Sequence, residues 1–377
     1  MAAIDTVFET LTTGQQAGGV ARVERLSTGE VRFERAAGCL RQSGRAMQVT
    51  DRYHLASIGK TMTATVLLQL AEEGRFGAMG IDSPLVATAA LSAAVIDRLL
   101  CVDGKSVGKL ITLRHLLSHT AGLRDAMEDD HHQLGGPAAG SIIGALMSGQ
   151  VNPSHHWVPW DDSRPDVAQT GVLNWYLHEV ANAGLSQPGT AFHYADTGYV
   201  LLGLVIETVL GKPLHQALRE RLFAPLNLQN TYLAYTGDPS DLGADRMPES
   251  EPWMGQMPCL STGVSLSFDW AGGGVVSTAA EQATFLRALL QGGLFREAST
   301  LSNMTRFAKP EGLGAPRLGV GLGLFHTRLN GIEFVGHSGA WGAKMVAAPA
   351  HDLLVTGTLN RADAPNDWHA RLVAALH

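Results

Sequence analysis

The sequence predicts an α+β protein in which one sheet is built from both ends of the chain and a mainly helical region is inserted between them. Three observations lead to this prediction. Val20–Leu26 and Val31–Arg35 alternate apolar and polar side chains on either side of a short turn, as a β-hairpin does. Strand patterns return only after about residue 262, and helical patterns fill much of the interval. We therefore expect two domains with these boundaries: a sheet domain of residues 1–75 and 265–377, and a mainly helical domain of residues 76–264.

The individual elements follow from local patterns. Residues 4–16 predict a short amphipathic helix. A second helix is expected to begin at Ser57 and end at Gly74, because the segment has no proline and carries an apolar residue at every fourth position. Residues 111–123 and Ala279–Leu290 also have helical patterns. The strands expected towards the C-terminus are Gly263–Phe268, Leu318–Arg328, Gly331–His337, Lys344–Pro349 and Leu353–Leu359.

Composition and charge limit the function. Hydrophobic residues make up 45% of the chain and charged residues 17%, as in an ordinary soluble enzyme. The net charge of -7 without a basic stripe argues against a nucleic-acid partner, and no apolar run is long enough to cross a bilayer. Cys39, Cys101 and Cys259 are scattered and the N-terminal segment has no secretory pattern, so we expect reduced thiols in a cytoplasmic protein that acts on a small molecule. These patterns leave the oligomeric state open.

Ser57-Ile58-Gly59-Lys60 is the stretch with the clearest chemical meaning. Ser57 and Lys60 are three residues apart on the predicted helix, so their side chains project from the same side of its first turn. A serine hydroxyl becomes a good nucleophile only when a neighbouring base takes its proton, and a lysine amine can do so if burial lowers its pKa. Taken alone, the pattern also fits an N-cap serine followed by a surface lysine.

Two further motifs favour a catalytic interpretation. Tyr194-Ala195-Asp196 and His337-Ser338-Gly339 match, in order and approximate spacing, the motifs Tyr-x-Asn and then Lys-Thr-Gly or His-x-Gly. With them the chain resembles the serine β-lactamase and penicillin-binding-protein superfamily, in the branch that holds class C β-lactamases, D-Ala-D-Ala carboxypeptidases, D-aminopeptidases and related esterases. The resemblance covers nearly the whole chain, through the additional segments Ile111–Leu123, Phe223–Leu228, Ala271–Thr278 and Leu359-Asn360.

The resemblance implies a fold, a site and a reaction. The implied fold is an antiparallel sheet flanked by helices, β-lactamase/transpeptidase-like, with the site in a cleft beside a mainly helical region. Ser57 is the implied nucleophile, Lys60 and Tyr194 are the implied bases, and His337 orients Tyr194 or hydrogen-bonds the substrate. The backbone N–H groups of Ser57 and Ala340 form the implied oxyanion hole. The implied reaction is acyl transfer through an acyl-enzyme on Ser57, which needs no metal or organic cofactor.

Two departures from the family pattern bear on the substrate. Asp196 stands where asparagine is expected, and a carboxylate beside Lys60 favours the ammonium form, so we expect Tyr194 to do more of the base work. An ionised carboxylate cannot donate to an amide carbonyl as asparagine can, which disfavours amide and β-lactam substrates. His337 replaces a lysine that would offer a fixed positive charge to a substrate carboxylate. We therefore predict hydrolysis of a small carboxylic ester or lactone.

Three alternatives stay open at this point. An amide or peptide hydrolase similar to the D-aminopeptidases would use the same residues, and so would an acyltransferase that passes the acyl group to an alcohol. A non-catalytic binding protein would keep the fold alone, although the intact Ser57, Lys60 and Tyr194 speak against it.

The segment 125–166 is expected to be a solvated loop over the cleft. It contains seven acidic residues, four histidines and a single basic residue, Arg164. Its histidine pairs are adjacent in sequence, so they point apart and match no zinc pattern, and we predict no metal site. His115 and His119 mimic a metal pair at i,i+4 but have no third ligand, and we predict structural roles for them. The residues expected to contact the substrate are Asp196, Gly339, Trp341 and, as aromatic walls for an apolar acyl group, Trp157 and Trp160.

Overall fold

The computed structural model describes residues 2–42, 44–127, 140–181, 184–236 and 249–376. The strands within this part of the chain are β1 (Gly19–Arg25), β2 (Val31–Ala37), β3 (Tyr53–His54), β4 (Cys101–Val102), β5 (Lys105–Ser106), β6 (Tyr232–Leu233), β7 (Trp253–Met254), β8 (Met257–Pro258), β9 (Val275–Ser277), β10 (Arg317–Val320), β11 (Phe325–Leu329), β12 (Ile332–Gly339), β13 (Ala343–Ala348) and β14 (Leu353–Thr358). The α-helices are α1 (Ala2–Thr12), α2 (Gly59–Glu72), α3 (Ala93–Leu99), α4 (Leu113–Leu117), α5 (Ile142–Met147), α6 (Val172–Trp175), α7 (Asp196–Leu210), α8 (Leu214–Leu218), α9 (Trp270–Gly273), α10 (Ala279–Leu290), α11 (Ala298–Met304) and α12 (Trp368–Ala374).

Among the described residues, the main sheet has seven strands in the order β10-β11-β12-β13-β14-β1-β2. Every neighbouring pair is antiparallel. Strand β1 lies between β2 and β14, with Val23 opposite both Phe33 and Val355, so the N-terminal hairpin extends the C-terminal strands. The predicted α+β fold, with a sheet built from both ends of the chain, is confirmed.

Both faces of the sheet are buried. On one face, Ile4 and Phe8 of α1 and Trp368 of α12 pack against sheet residues such as Phe334 and Val355. The other face contributes to a larger core that continues through the helical part of the chain, and α10 packs against β1, β13 and β14 there. The sheet is therefore a middle layer, and its side towards the larger core is where the catalytic motifs are expected.

Helix α2 lies within the larger core. All residues from Gly59 to Leu68 are buried, although three of them are threonines. The hydroxyl of Thr61 donates to the carbonyl of Gly323 at 2.8 Å, and that of Thr63 donates to the carbonyl of Ala271 at 2.7 Å. Buried hydroxyls need such partners, and here they come from segments more than two hundred residues away. The helix that carries Lys60 is thus held on several sides.

Several predicted elements form with bounds close to those expected. The hairpin, α2 and α10 agree with the sequence analysis, and α10 has the expected bounds. The expected strand Gly263–Phe268 is wrong, since a turn there leads into a 3-10 helix at Ser267–Asp269. The expected strand Leu318–Arg328 is interrupted between β10 and β11, where Gly323 has a φ of +78°.

The segment 125–166 is more structured than expected. Residues 128–139, with their acidic cluster and one histidine pair, lie outside the described residues. Downstream of them, α5 packs Ile142 and Ala145 into the larger core, so part of the segment is not a solvated loop.

Membrane-spanning length is not reached by any single helix in the described ranges. Within the same ranges, α7 taken together with Leu214–Phe223, at a bend of 80°, is the one helix pair with the length and apolar composition required.

Candidate active site

The nucleophile candidate Ser57 lies in a 3-10 turn, Ala56–Ile58, that runs directly into α2. Its hydroxyl oxygen is 3.0 Å from the Nζ of Lys60, as the three-residue spacing predicts. The preceding residue, Ala56, has a φ of +46°, a conformation that alanine rarely adopts. Such backbone strain is concentrated at functional sites because the surrounding packing must hold it in place.

The Nζ atom of Lys60 is surrounded by three oxygen acceptors. It contacts the Ser57 hydroxyl and the carbonyl of Gly272, both at 3.0 Å, and forms a buried ion pair with Asp196. Three acceptors match the three N–H donors of an ammonium group. Burial lowers the pKa of Lys60, but the Asp196 carboxylate and Tyr194 raise it by more, so the net direction is upward. Lys60 is therefore an ammonium group in the resting site.

Asp196 is the first residue of α7, where the helix dipole favours a negative charge. Its backbone N–H donates to Asp125 Oδ1 at 3.1 Å, and the hydroxyl of Thr197 donates to the carbonyl of Arg124 at 3.0 Å. These contacts fix the start of α7 against Arg124 and Asp125, which directly follow the segment Ile111–Leu123. Gly272 lies against the same carboxylate, because a Cβ there would be 2.7 Å from Asp196 Oδ1.

Tyr194 precedes α7 and places its ring 5.0 Å from Lys60 Nζ. The residue as a whole is partly exposed, but its hydroxyl is buried and makes no hydrogen bond of ordinary geometry with any described residue. Burial raises the pKa of this phenol, the Lys60 ammonium and the Ser57 hydroxyl lower it, and the net direction is upward. Tyr194 is thus a neutral phenol at neutral pH, beside both Ser57 and Lys60.

His337 lies on β12, where its ring is 5.0 Å from Phe325 and 6.4 Å from Tyr194 between centroids. Burial, together with the nearby Lys60 cation, lowers its pKa to about 3, so the imidazole is neutral. Its Nδ1 contacts the backbone of Ser338. Its Nε2 is buried with no hydrogen-bond partner among the described residues, which leaves one ring nitrogen for a substrate or for Tyr194.

The end of β12 packs against the segment that leads into Ser57. At Gly339 a Cβ would overlap the carbonyl oxygen of Leu55, so only glycine allows this approach. The approach brings the exposed Ala340 to the edge of the site, next to the segment that carries Ser57. That the backbone N–H groups of Ser57 and Ala340 form an oxyanion hole stays a prediction.

The three tryptophans expected at the substrate are placed differently from one another. Trp157 is only 2% exposed and packs edge-on against Trp175 in the larger core, so it offers little surface to a ligand in this conformation. Trp160 is partly buried at the border of the same core. Trp341 follows β12 and is buried, with its indole Nε1 unpartnered within the described ranges. A substrate-binding role for these side chains stays a prediction.

The structure therefore brings together Ser57, Lys60, Tyr194, Asp196 and His337 from three segments of the chain. Sequence reasoning missed two contributors. The first is the Gly272 carbonyl, which accepts from Lys60. A backbone acceptor cannot be recognised from the residue type, although the glycine run at 272–274 indicates close packing. His119, predicted to be structural, stacks on Tyr194. Within the described ranges, no group of three histidine, cysteine or acidic residues is arranged to hold a metal ion.

Comparison with known proteins identifies related chains. The aligned part of Esterase EstB from Burkholderia gladioli is 30% identical over 232 residues, which cover 61% of this chain and 50% of the esterase. Penicillin-binding protein 4 from Amycolatopsis lactamdurans is 26% identical over 272 residues, which cover 69% of this chain and 57% of that protein. The alignments thus span only about half the length of these relatives.

A solved structure matches the chain from end to end. The D-stereospecific amidohydrolase from Streptomyces sp. superimposes with a TM-score of 0.72 at 28% sequence identity, covering 99% of this chain and 97% of the amidohydrolase. The sequence profile of the Beta-lactamase family matches residues 4–377. From the motif set, the fold and this match, we conclude that the chain belongs to the beta-lactamase family of serine hydrolases.

Proposed function

We propose that the protein hydrolyses a small carboxylic ester or lactone through an acyl-enzyme on Ser57. One observation carries the proposal: the Ser57 hydroxyl contacts Lys60 Nζ at 3.0 Å inside a site whose other polar groups are buried. An N-cap serine followed by a surface lysine would not place the ammonium group in the core. The family membership supports an enzymatic role for this pair.

The contacts around Lys60 suggest the direction of proton transfer. Because the ammonium group donates to Ser57 Oγ, it can stabilise a serine alkoxide but cannot accept the proton in that state. The remaining candidate is the phenolate form of Tyr194, a minor species at neutral pH because burial raises the pKa of this phenol. Ser57 then bonds to the acyl carbon as its proton passes to Tyr194. Tyr194 returns that proton to the leaving alkoxide.

Deacylation repeats the sequence with water. Tyr194 takes a proton from the attacking water, the water oxygen bonds to the acyl carbon, and the Ser57 oxygen leaves with the proton from Tyr194. The backbone N–H groups of Ser57 and Ala340 are the proposed donors to the oxygen that becomes negative in both steps. One such donor typically contributes about a hundredfold or more to the rate.

Two features favour an ester over an amide. An amine is a poor leaving group unless it is protonated first, whereas an alkoxide depends less on that proton. The site also offers the Asp196 carboxylate, which accepts hydrogen bonds but cannot donate one to an amide carbonyl. Both features make an ester or a lactone the better substrate.

Amide hydrolysis is the second candidate, and a specific observation favours it. The similarity to the Streptomyces amidohydrolase extends over nearly the whole chain at 28% identity. In addition, the Asp196 carboxylate can accept a hydrogen bond from a substrate amine close to the scissile bond. Acyl transfer to an alcohol would use the same residues and would be recognised by a dependence of the rate on the alcohol.

The test uses a p-nitrophenyl ester and the p-nitroanilide of the same short acyl group. We expect wild type to cleave the ester at least about a hundred times faster than the anilide, and Ser57→Ala to abolish cleavage. Ser302→Ala, at an exposed serine on α11, is the matched control and should leave both rates unchanged. Comparable anilide cleavage would make the protein an amidase. Failure of a fluorophosphonate to label Ser57 would point to a non-catalytic binding protein.

A further inference from the structure

We infer that His119 is a positioning residue that holds Tyr194 in place for proton transfer. The inference rests on the proposed function and adds to it a residue for which the sequence predicted only a structural role.

The backbone on both sides of Tyr194 is bonded to His119. The carbonyl oxygen of His119 accepts a hydrogen bond from the N–H of His193 at 2.9 Å. Its ring Nδ1 accepts one from the N–H of Ala195 at 3.2 Å. A single residue therefore holds the backbone N–H groups of both sequence neighbours of Tyr194, His193 and Ala195.

The ring of His119 also contacts the ring of Tyr194 directly. The two rings are stacked, with centroids 4.3 Å apart and an interplanar angle of 25°. Phe192, Tyr199 and Phe325 surround His119 at centroid distances of 5.3 to 6.2 Å. The tyrosine ring can therefore neither tilt nor slide without displacing a buried aromatic cluster.

The protonation state of His119 suits this role. Its Nδ1 accepts a hydrogen bond, so the proton of the neutral ring lies on Nε2, which is buried without a partner among the described residues. Burial lowers the pKa of His119 far below its usual range, and the Lys60, His337, Arg317 and His193 side chains lower it further. The ring thus supports Tyr194 without adding a second cation beside Lys60.

The backbone of His119 indicates that its position is constrained. Its φ is +55°, in the left-handed region that few residues other than glycine adopt. Neighbouring contacts maintain this conformation: the Tyr199 hydroxyl donates to the Leu117 carbonyl at 3.0 Å, and the Gly189 N–H donates to the Thr120 carbonyl at 2.7 Å. The conformation points the ring and the carbonyl of His119 at the same short segment, residues 193–195.

The experiment is a double-mutant cycle on p-nitrophenyl ester cleavage with wild type, His119→Phe, Tyr194→Phe and the double variant. Phenylalanine keeps an aromatic ring but loses the acceptor for Ala195. We expect His119→Phe to lower kcat about 10- to 100-fold with KM changed less than about threefold, since small misplacements of a catalytic group have effects of this size. In the Tyr194→Phe background the same change should cost less than about twofold.

Two further variants separate positioning from folding. His119→Asn retains an acceptor and tolerates the left-handed conformation, so it should recover part of the kcat lost in His119→Phe. His115→Asn is the matched control: His115 caps α4 through a contact of its Nδ1 with the Thr112 N–H at 3.2 Å and does not touch Tyr194. We expect it to lower the melting temperature while kcat of the folded protein stays near wild type.

Each outcome distinguishes the inference from the proposed function. Equal losses from His119→Phe in both backgrounds, or an unchanged kcat, would overturn the positioning role while ester hydrolysis stands. If wild type cleaves neither substrate and is not labelled by fluorophosphonate, the proposed function fails.

The positioning role of His119 can still be tested in that case by crystal structures of wild type and His119→Phe. We expect the Tyr194 hydroxyl to differ in position by about 1 Å or more between the two structures, and an unmoved hydroxyl would refute the positioning role.

Discussion

Two buried lysines lie on opposite sides of the sheet and have opposite electrostatic environments. Lys60 is fully buried on the cleft side, bonded to the Asp196 carboxylate, and the net direction of its pKa is upward. Lys344 on β13 is 3% exposed, and its hydrogen-bond partners among the described residues are neutral oxygens, Ser338 Oγ at 3.1 Å and Asn366 Oδ1 at 2.7 Å. Burial lowers its pKa to about 8, despite the more distant Asp367 carboxylate.

The difference shows that burial alone does not make a lysine into a base. Both ammonium groups lose water, but only at Lys60 does a carboxylate compensate by direct contact. The cleft lysine is therefore the more firmly charged of the two, contrary to the simplest expectation for a catalytic base. A fixed cation beside Ser57 suits stabilisation of an alkoxide and of a Tyr194 phenolate.

The largest expected effect comes from removing the cleft cation. Lys60→Met should lower kcat/KM for the ester by on the order of 10³-fold or more, because the alkoxide loses its partner. It should also lower the free energy of unfolding by about 3–5 kcal/mol, since Asp196 is left as an unpaired buried charge. Steady-state kinetics and urea unfolding measure the two effects.

The control for this change is the double variant Lys60→Met with Asp196→Asn. It removes the unpaired charge, so we expect it to regain much of the stability but none of the activity. If the double variant were as unstable as Lys60→Met, the ion pair would not be the source of the loss. If Lys344→Met lost as much activity as Lys60→Met, the comparison of the two lysines would be invalid.

A smaller effect is expected when the cleft carboxylate alone is neutralised. Asp196 raises the pKa of both Lys60 and Tyr194, because a negative charge favours their protonated forms. If the Tyr194 phenolate is the base, kcat/KM rises with pH as this phenol ionises and reaches a plateau at alkaline pH. In Asp196→Asn this rise should move to lower pH, and each pH unit of movement should raise kcat/KM at pH 7 about tenfold. The measurement is kcat/KM against pH at constant ionic strength.

The same variant also tests the substrate preference. Asparagine can donate to an amide carbonyl, so the ratio of anilide to ester cleavage should rise in Asp196→Asn. A variant with the wild-type pH profile and the wild-type ratio would show that Asp196 sets neither property. Asp162→Asn, at an exposed loop carboxylate, serves as the charge-matched control for both measurements.

The smallest effect concerns Lys344 and appears in stability only. Its pKa is about 8 in the folded protein and 10.5 for an ordinary lysine, so between these pH values the unfolded chain binds more protons. The stability that comes from this lowered pKa is lost as pH falls, and it is absent below about pH 8. Relative to Lys344→Met, wild type should therefore gain up to about 3 kcal/mol between pH 8 and 10.5.

Unfolding by urea at several pH values measures this difference. A constant difference between wild type and Lys344→Met across the range would mean that Lys344 keeps an ordinary pKa in the folded protein. Ester cleavage by the folded variant is expected to stay near the wild-type rate, because Lys344 contacts the face of β12 away from His337.

Sequence reasoning succeeded where local geometry decides the outcome. The hairpin, α10 and the contact between Ser57 and Lys60 depend on periodicity and on a three-residue helical spacing, which are the same in any protein. The motif resemblance added Tyr194, Asp196 and His337, and it led to the correct family and fold class. The resemblance also led to the expectation that Lys60 is an ammonium group, because it places the Asp196 carboxylate beside Lys60.

Reasoning failed where partners come from distant segments. Nothing local marks the Gly272 carbonyl as an acceptor for Lys60, and Lys344 sits in an ordinary strand pattern until α12 covers it. Trp157 lies in a segment rich in acids and histidines, which suggests a solvated loop, yet it packs on Trp175. In the sequence, His119 forms an i,i+4 pair with His115 that mimics a metal site without a third ligand. Only the fold places its ring on Tyr194.

By itself, the sequence determined the family, the α+β fold and the chemical identity of the candidate site, because these depend on residue types at short, regular spacings. Only the tertiary structure decided the charge state of each buried group and the ring that supports Tyr194. Charge and orientation depend on which atoms replace water around a side chain. Those atoms come from segments 22 residues away, as for Lys344 and Asn366, to 212 residues away, as for Lys60 and Gly272, and only the packed fold brings them together.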